Sequence, residues 1–268
     1  MQEASNHAHI RIVQSRQNAR VKDLRAALKK SEKTASGLIA VEGLHLMEEA
    51  LRSGLRVETV FIRSGSLELL GGLGLAEDAE ILELPADVFA SAVTTESPQG
   101  IAALVAAPAF SLEDVLRGAA PLVLVAAGLQ NPGNLGTIVR SAEAFGASGV
   151  VALPGTVSVW NAKALRASSG SAFRLPVVSA DVSELFGMLR SRGVRSLATV
   201  VDRGVAAQEV DLIGPVALFI GNEGAGLSAQ LVAACDARVT IPCPGPVESL
   251  NAAIAASVLL YEASRQRG

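Results

Sequence analysis

Three segments of the 268-residue chain place glycines beside amide, hydroxyl and charged side chains just after an apolar run. The first is Gly128-Leu129-Gln130-Asn131-Pro132-Gly133-Asn134, which continues to Arg140. The second is Gly221-Asn222-Glu223-Gly224-Ala225-Gly226, and the third runs from Ile241 to Asn251 and holds Ser249 and Leu250. Glycines let main-chain donors and acceptors approach a ligand and supply positive-φ turns, so each segment is a candidate binding loop. A dinucleotide fold would need G-x-G-x-x-G in the first loop and an acidic residue after the next strand. Here the glycine spacing differs, and Gly149–Leu153 ends in Pro154-Gly155. A phosphate loop of the G-x-x-x-x-G-K-[ST] type is absent as well. Nicotinamide redox chemistry and nucleoside triphosphate hydrolysis are therefore disfavoured.

Each polar residue also has a plainer explanation. Helical spacing from Asn134 to Phe145 puts Leu135, Ile138, Ala142 and Phe145 on one stripe and turns Arg140 away from it, where Glu143 at i+3 would be an ordinary partner. Ser249 can cap a helix of small and apolar residues from Leu250 to Glu262, which leaves Asn251 to be satisfied in a buried place.

The elements that would position these loops alternate. Before residue 107, Leu38–Val41, Val57–Ile62, Ile81–Leu84 and Gly100–Ala106 read as strands, with helices at Gly43–Ser53 and Ala86–Ala92. From Pro121 the rhythm restarts with strands at Leu122–Ala126, Gly149–Leu153, Pro176–Val178, Ser196–Val200, Pro215–Ile220 and Ala237–Ile241. The expected fold class is α/β. A small N-terminal α/β domain (residues 1–107) and a linker (108–120) precede a domain (121–268) built on a mainly parallel sheet, with ligands at the carboxyl ends of its strands.

Half of the residues are hydrophobic, yet no apolar run reaches the roughly 20 residues of a membrane helix. The polar start, Met1 to Ile10, lacks the apolar stretch of a signal peptide, so a cytoplasmic protein with no membrane partner is expected. Cys235 and Cys243 have no second pair and no nearby histidine, and no metal site is expected. The net charge of −3 hides an asymmetry: residues 1–63 carry 11 Lys/Arg against 7 Asp/Glu, whereas residues 64–120 carry 1 against 9. In particular Arg11, Arg16, Arg20, Lys22, Arg25, Lys29, Lys30 and Lys33 are opposed only by Asp23 and Glu32, a balance suited to a phosphate backbone. A charge run taken alone is more often a solvated helix face. With 3% aromatic residues, RNA contact would rest on phosphates and shape, and Trp160 serves a core as readily as a base.

Taken together and in this order, the three loops resemble the signature motifs of the SpoU/TrmH family of the SPOUT methyltransferases, across residues 121–268. Residues 10–105 resemble that family's ribosomal-protein-like substrate-binding domain through Ser15 and Asn18, Val41-Glu42-Gly43 and Ser97-Pro98-Gln99-Gly100; Thr34-Ala35-Ser36 stands where relatives often carry an arginine. The resemblance implies S-adenosylmethionine-dependent methyl transfer to a ribose 2′-hydroxyl of structured RNA, ribosomal rather than transfer RNA. It also implies a homodimer and a C-terminal trefoil knot. It carries over a polar set of Asn134, Arg140, Glu223, Ser249 and Asn251 around the transfer path. Around the methyl donor it implies Ala198, Thr199, Val200, Gly221, Asn222, Gly224, Ile241, Ser249 and Leu250. An arginine guanidinium has a pKa of about 12.5–13.8, so Arg140 would orient the ribose and stabilise alkoxide charge rather than act as a base. The alternatives are a SPOUT enzyme acting on tRNA or on a base, and a non-catalytic RNA-binding dimer, against which the intact polar set argues.

Overall fold

A computed structural model describes residues 10–268, and the polar start Met1–His9 lies outside the described residues. The chain divides into two compact units near residue 108. The first begins with β1 (Ile10–Ile12), α1 (Ala19–Lys30), β2 (Leu38–Glu42), α2 (Leu44–Arg52), β3 (Val57–Arg63), β4 (Glu80–Leu84), α3 (Ala86–Ala92) and β5 (Ile101–Ala106). Its sheet runs β1-β4-β3-β5-β2, with β5 antiparallel to both neighbours and the other pairs parallel. Asn18 opens α1 by accepting from the main-chain N–H groups of Arg20 and Val21, a cap worth about 1 kcal/mol. The helix then buries Val21, Leu24, Ala27 and Leu28 against the sheet, with Phe61, Leu82 and Leu104 in the same core.

The chain continues through α4 (Leu112–Val115), β6 (Leu122–Ala126), α5 (Pro132–Ala144), β7 (Gly149–Ala152), α6 (Ala162–Ser168) and α7 (Ser171–Arg174). It ends with β8 (Val177–Ser179), α8 (Val182–Ser191), β9 (Arg195–Thr199), β10 (Val205–Ala206), β11 (Val216–Ile220), α9 (Ala229–Ala234), β12 (Ala237–Thr240) and α10 (Ala252–Arg267). Seven parallel strands in the order β10-β12-β9-β11-β6-β7-β8 form the second sheet. Its central strands β6 and β11 are buried at every position, which is why they appear in the sequence as unbroken apolar runs. Since β6 and β11 are neighbours, the first two glycine-rich loops leave the sheet side by side.

Two segments pack differently from their expected places. Residues 108–120, expected as a linker, contain a capping box of Ser111 and Asp114 that starts α4, and Val115 and Leu116 then enter the core of the second unit. The fit is close: a Cβ on Gly149 would come within 2.9 Å of Val115. Residues 160–173, expected within the second domain, belong by packing to the first unit. Ala162 joins its core, the Asn161 amide donates to Ser31 Oγ (3.0 Å), and His45 Nε2 and Ser169 Oγ share a hydrogen bond of 2.9 Å. Trp160, half-buried, lies beneath Lys33, whose Nζ is 5.7 Å from the ring centroid.

The last helix is capped by Asn251, which accepts from Ala253 N and Ile254 N, so the cap is this residue rather than Ser249. Parallel to it runs α5: Asn134 meets Asn251, Ser141 meets Ser257 at 2.8 Å, and the Phe145 and Tyr261 rings pack edge to face at 5.8 Å. Its far end is tied down by Arg267, which donates to the carbonyls of Ala120, Leu212 and Gly214. Among the described residues no helix is long and apolar enough to cross a membrane.

Candidate functional site

At the carboxyl ends of β9, β11 and β12 lies a cavity of about 380 Å³. Its walls are the segments 199–201, 220–224, 240–243 and 247–250, closed by Ala252 and Ala255 of α10. Of the residues expected around a methyl donor, Thr199, Val200, Gly221, Asn222, Gly224, Ile241, Ser249 and Leu250 line it. Ala198 does not. It is fully buried in β9, and strand alternation turns its side chain to the opposite face from Thr199.

The loop after β11 is held by its own amide. Asn222 accepts at Oδ1 from the N–H groups of Gly224 and Ala225, and its Nδ2 donates to the Gly128 carbonyl at 2.9 Å. Main-chain bonds between Asn222 and Gly226 close the turn, with Gly226 at φ +66°. A Cβ on Gly221 would lie 2.2 Å from the Gly226 carbonyl carbon and 2.3 Å from Leu227 N, so the closed turn admits no side chain there.

Beside the cavity a single hydrogen-bonded chain ties the three loops together. Asn251 Nδ2 donates to Asn134 Oδ1 (3.2 Å), and Asn134 Nδ2 donates to Glu223 Oε1 (2.9 Å). The Glu223 carboxylate also accepts from Gln130 N and Asn131 N at the start of α5, where the helix dipole favours negative charge. Partial burial alone would raise the Glu223 pKa, but the bonds from Asn134 and from main-chain N–H groups outweigh it and hold the carboxyl below its ordinary range.

Two family models cover these units: the SpoU rRNA Methylase family matches residues 121–261, and the MRM3-like substrate binding domain matches residues 18–103. The chain belongs to the SpoU rRNA methylase family. It is 36% identical over 249 residues to the 23S rRNA (guanosine(2553)-2′-O)-methyltransferase RlmP of Bacillus subtilis, spanning 93% of this chain and 97% of that one. An AdoMet-bound rRNA methyltransferase from Sinorhizobium meliloti superposes with a TM-score of 0.83 at 31% identity, over 96% of this chain and 98% of that one. The SpoU methyltransferase AviRb from Streptomyces viridochromogenes gives 0.78 at 32%, over 93% and 98%.

In this SpoU methylase the five polar residues fall into three places. Glu223 and Ser249 line the cavity, and Asn134 and Asn251 join it through the hydrogen-bonded chain. Arg140 lies on the exposed face of α5 and does not line the cavity. Glu143 is not its partner, because that carboxylate takes Arg174 in two bonds of 2.7 and 3.0 Å, and Arg140 has no ion pair among the described residues. Sequence reasoning missed Val201, Thr240, Cys243, Val247, Ala252 and Ala255 on the cavity wall. A signal existed for the alanines, since small residues open α10 and leave room for a ligand to approach.

Proposed function

We propose that this SpoU methylase transfers a methyl group from S-adenosylmethionine to a ribose 2′-hydroxyl of ribosomal RNA, with the donor held in the cavity at the ends of β9, β11 and β12. The observation that carries this placement is Thr199. Its hydroxyl, buried beside the cavity wall, is among the described residues the one buried side-chain polar atom with no hydrogen-bond partner. Leaving such a group unmatched costs about 1–3 kcal/mol, so a polar ligand that reaches it gains that much. Around it Val200, Ile220, Ile241 and Leu250 form the apolar slot that a flat, uncharged adenine fits.

S-adenosylmethionine supplies a methyl group activated by its sulfonium. The residues of this chain do the rest by position, because in-line attack depends on holding two reactants in register. The chain Asn251–Asn134–Glu223 keeps the three loops at fixed separation. Arg140, which has no ion pair among the described residues, is available to hold an RNA phosphate and to stabilise charge growing on the 2′-oxygen. The proton leaves to water or phosphate.

The first unit holds the RNA and the second performs the transfer, in the cytoplasm. Two copies act together: Ile254, Val258 and Tyr261 stand exposed at i, i+4 and i+7 along α10 and form an apolar stripe that a second copy covers, which would give sedimentation a mass of twice 27.5 kDa. The 200–204 loop crosses β12 so closely that a Cβ on Gly204 would lie 2.8 Å from the Val239 main chain, and this supports threading of the C-terminal segment as a trefoil knot. Calorimetry of Thr199→Val tests the donor site. Removing the hydroxyl should weaken S-adenosylmethionine binding by about tenfold, and unchanged affinity would place the donor elsewhere.

A further inference from the structure

The basic stretch at the start of the first unit separates into two sets by what its side chains touch. Arg11 and Arg20 pair with Glu80 (3.2 and 3.3 Å), Arg16 pairs with Asp87 (2.6 Å), and Arg25 donates to the carbonyl oxygens of Ser91 and Arg16 (2.9 and 3.3 Å). These four arginines fasten α1 and its flanks to β4 and α3. None of the four lysines has an ion pair among the described residues. Lys22, Lys29 and Lys30 leave the face of α1 opposite its buried residues, and Lys33 follows the helix. Lys29 and Lys30 also complement the helix dipole, but Lys22 in the first turn and Lys33 beyond the end do not.

At the end of this row is a notch of about 160 Å³ lined by Lys30 and Lys33, by Asp23 and Glu32, and by the methyl groups of Ala26 and Ala35. Charges of both signs share its wall, yet no ion pair closes between them among the described residues. A surface that only tracked a polyanion would gain nothing from the two carboxylates, which repel phosphate. They become useful if the ligand also carries N–H donors, since carboxylates accept from the exocyclic amines of bases while lysines take phosphate.

We infer that the notch binds one unstacked nucleotide of the substrate RNA, its phosphate on Lys30 and Lys33 and its base amine on Asp23 and Glu32. This rests on the reading of the chain as an RNA methyltransferase. The test uses unmethylated ribosomal RNA transcripts and the full-length enzyme, with fluorescence anisotropy across a salt series. Lys30→Ala/Lys33→Ala should bind more weakly and flatten the slope of log affinity against log salt by about 0.7, the value for one single-strand phosphate. Asp23→Asn/Glu32→Gln should bind about tenfold more weakly, although it removes two negative charges from a surface that meets a polyanion. Ala35→Trp, at an exposed position on the notch wall, should weaken binding without changing the slope. Tighter or unchanged binding by the Asn/Gln variant, or a lysine variant with the wild-type slope, overturns the inference. Methyl incorporation by the wild type into the same transcripts separates the two levels: activity with wild-type binding by all three variants defeats the notch alone, and no incorporation defeats the underlying reading.

Discussion

The two units spend their polar groups differently. In the first, arginine–carboxylate pairs knit helices to a mixed sheet: Glu80 serves two arginines, and the buried Glu42 accepts from Thr94 and Thr95 across more than 50 residues of chain. The second is assembled on an all-parallel sheet whose central strands are wholly apolar, and its polar chain Asn251–Asn134–Glu223 gathers at the strand ends, next to the cavity. Polar bonds in the first unit therefore carry structure. In the second unit the chain Asn251–Asn134–Glu223 sits beside the cavity, so breaking it should register on transfer before it registers on folding.

Substitutions can break this contrast at graded depth. Arg140→Ala should show the largest effect: near-normal donor affinity, with single-turnover transfer down by about a hundredfold or more. Arg140→Lys should restore little at any pH, because a lysine cannot form the planar two-pronged contact; wild-type rates in Arg140→Ala would return the residue to the ordinary surface. Gly221→Ala comes next, since its Cβ would meet the Gly226–Leu227 main chain and shift the loop, costing on the order of a hundredfold in transfer. A Gly221→Ala enzyme with unaltered donor affinity and rate would show that the closed turn is dispensable.

Glu223 provides a pH signature of intermediate size. Its folded pKa lies below the ordinary 4.5, so its contribution is complete above that value and disappears as pH falls through the lower folded one. Transfer should thus be insensitive to this group from neutrality down to pH 5 and decline in acid, whereas Glu223→Gln should lose about tenfold at pH 7 and lack that acid limb. The smallest effect belongs to the first unit. Glu80→Gln, which releases Arg11 and Arg20 together, should lower stability by no more than about 1 kcal/mol in denaturant titration and leave donor affinity untouched. A large loss of transfer in Glu80→Gln would erase the distinction between the units.

Much of the cavity was legible because parallel strands buried on both faces stand out as continuous apolar runs ending in glycine-rich loops. The rest depended on tertiary partners. Strands of three and two residues, β1 and β10, are too short for periodicity to register. A helix such as α6 shows that it has a buried face but not which neighbour buries it, so residues 160–173 were assigned by chain order. Ala198 differs from Thr199 by one step of strand alternation, and strand ends cannot be placed that finely from sequence. Nor does composition distinguish Arg20, bound to Glu80, from Lys22 two residues on, which has no ion pair among the described residues.

The position of β12 has a consequence for how the enzyme is made. This strand, the last in the chain, occupies a place between β9 and β10, which were both synthesised earlier. Until residues 237–240 leave the ribosome the sheet has a gap beside β9, and the 240–250 wall of the cavity does not exist. The first unit, apart from residues 160–173, is complete more than 100 residues sooner. At roughly 5–20 residues per second, a nascent chain would present its first unit several seconds before it had a complete cavity. If the first unit holds RNA as proposed, a protein truncated before β12 would still occupy RNA while being unable to modify it, so loss of the C-terminal end would produce a competitor of the enzyme and not merely an inactive fragment.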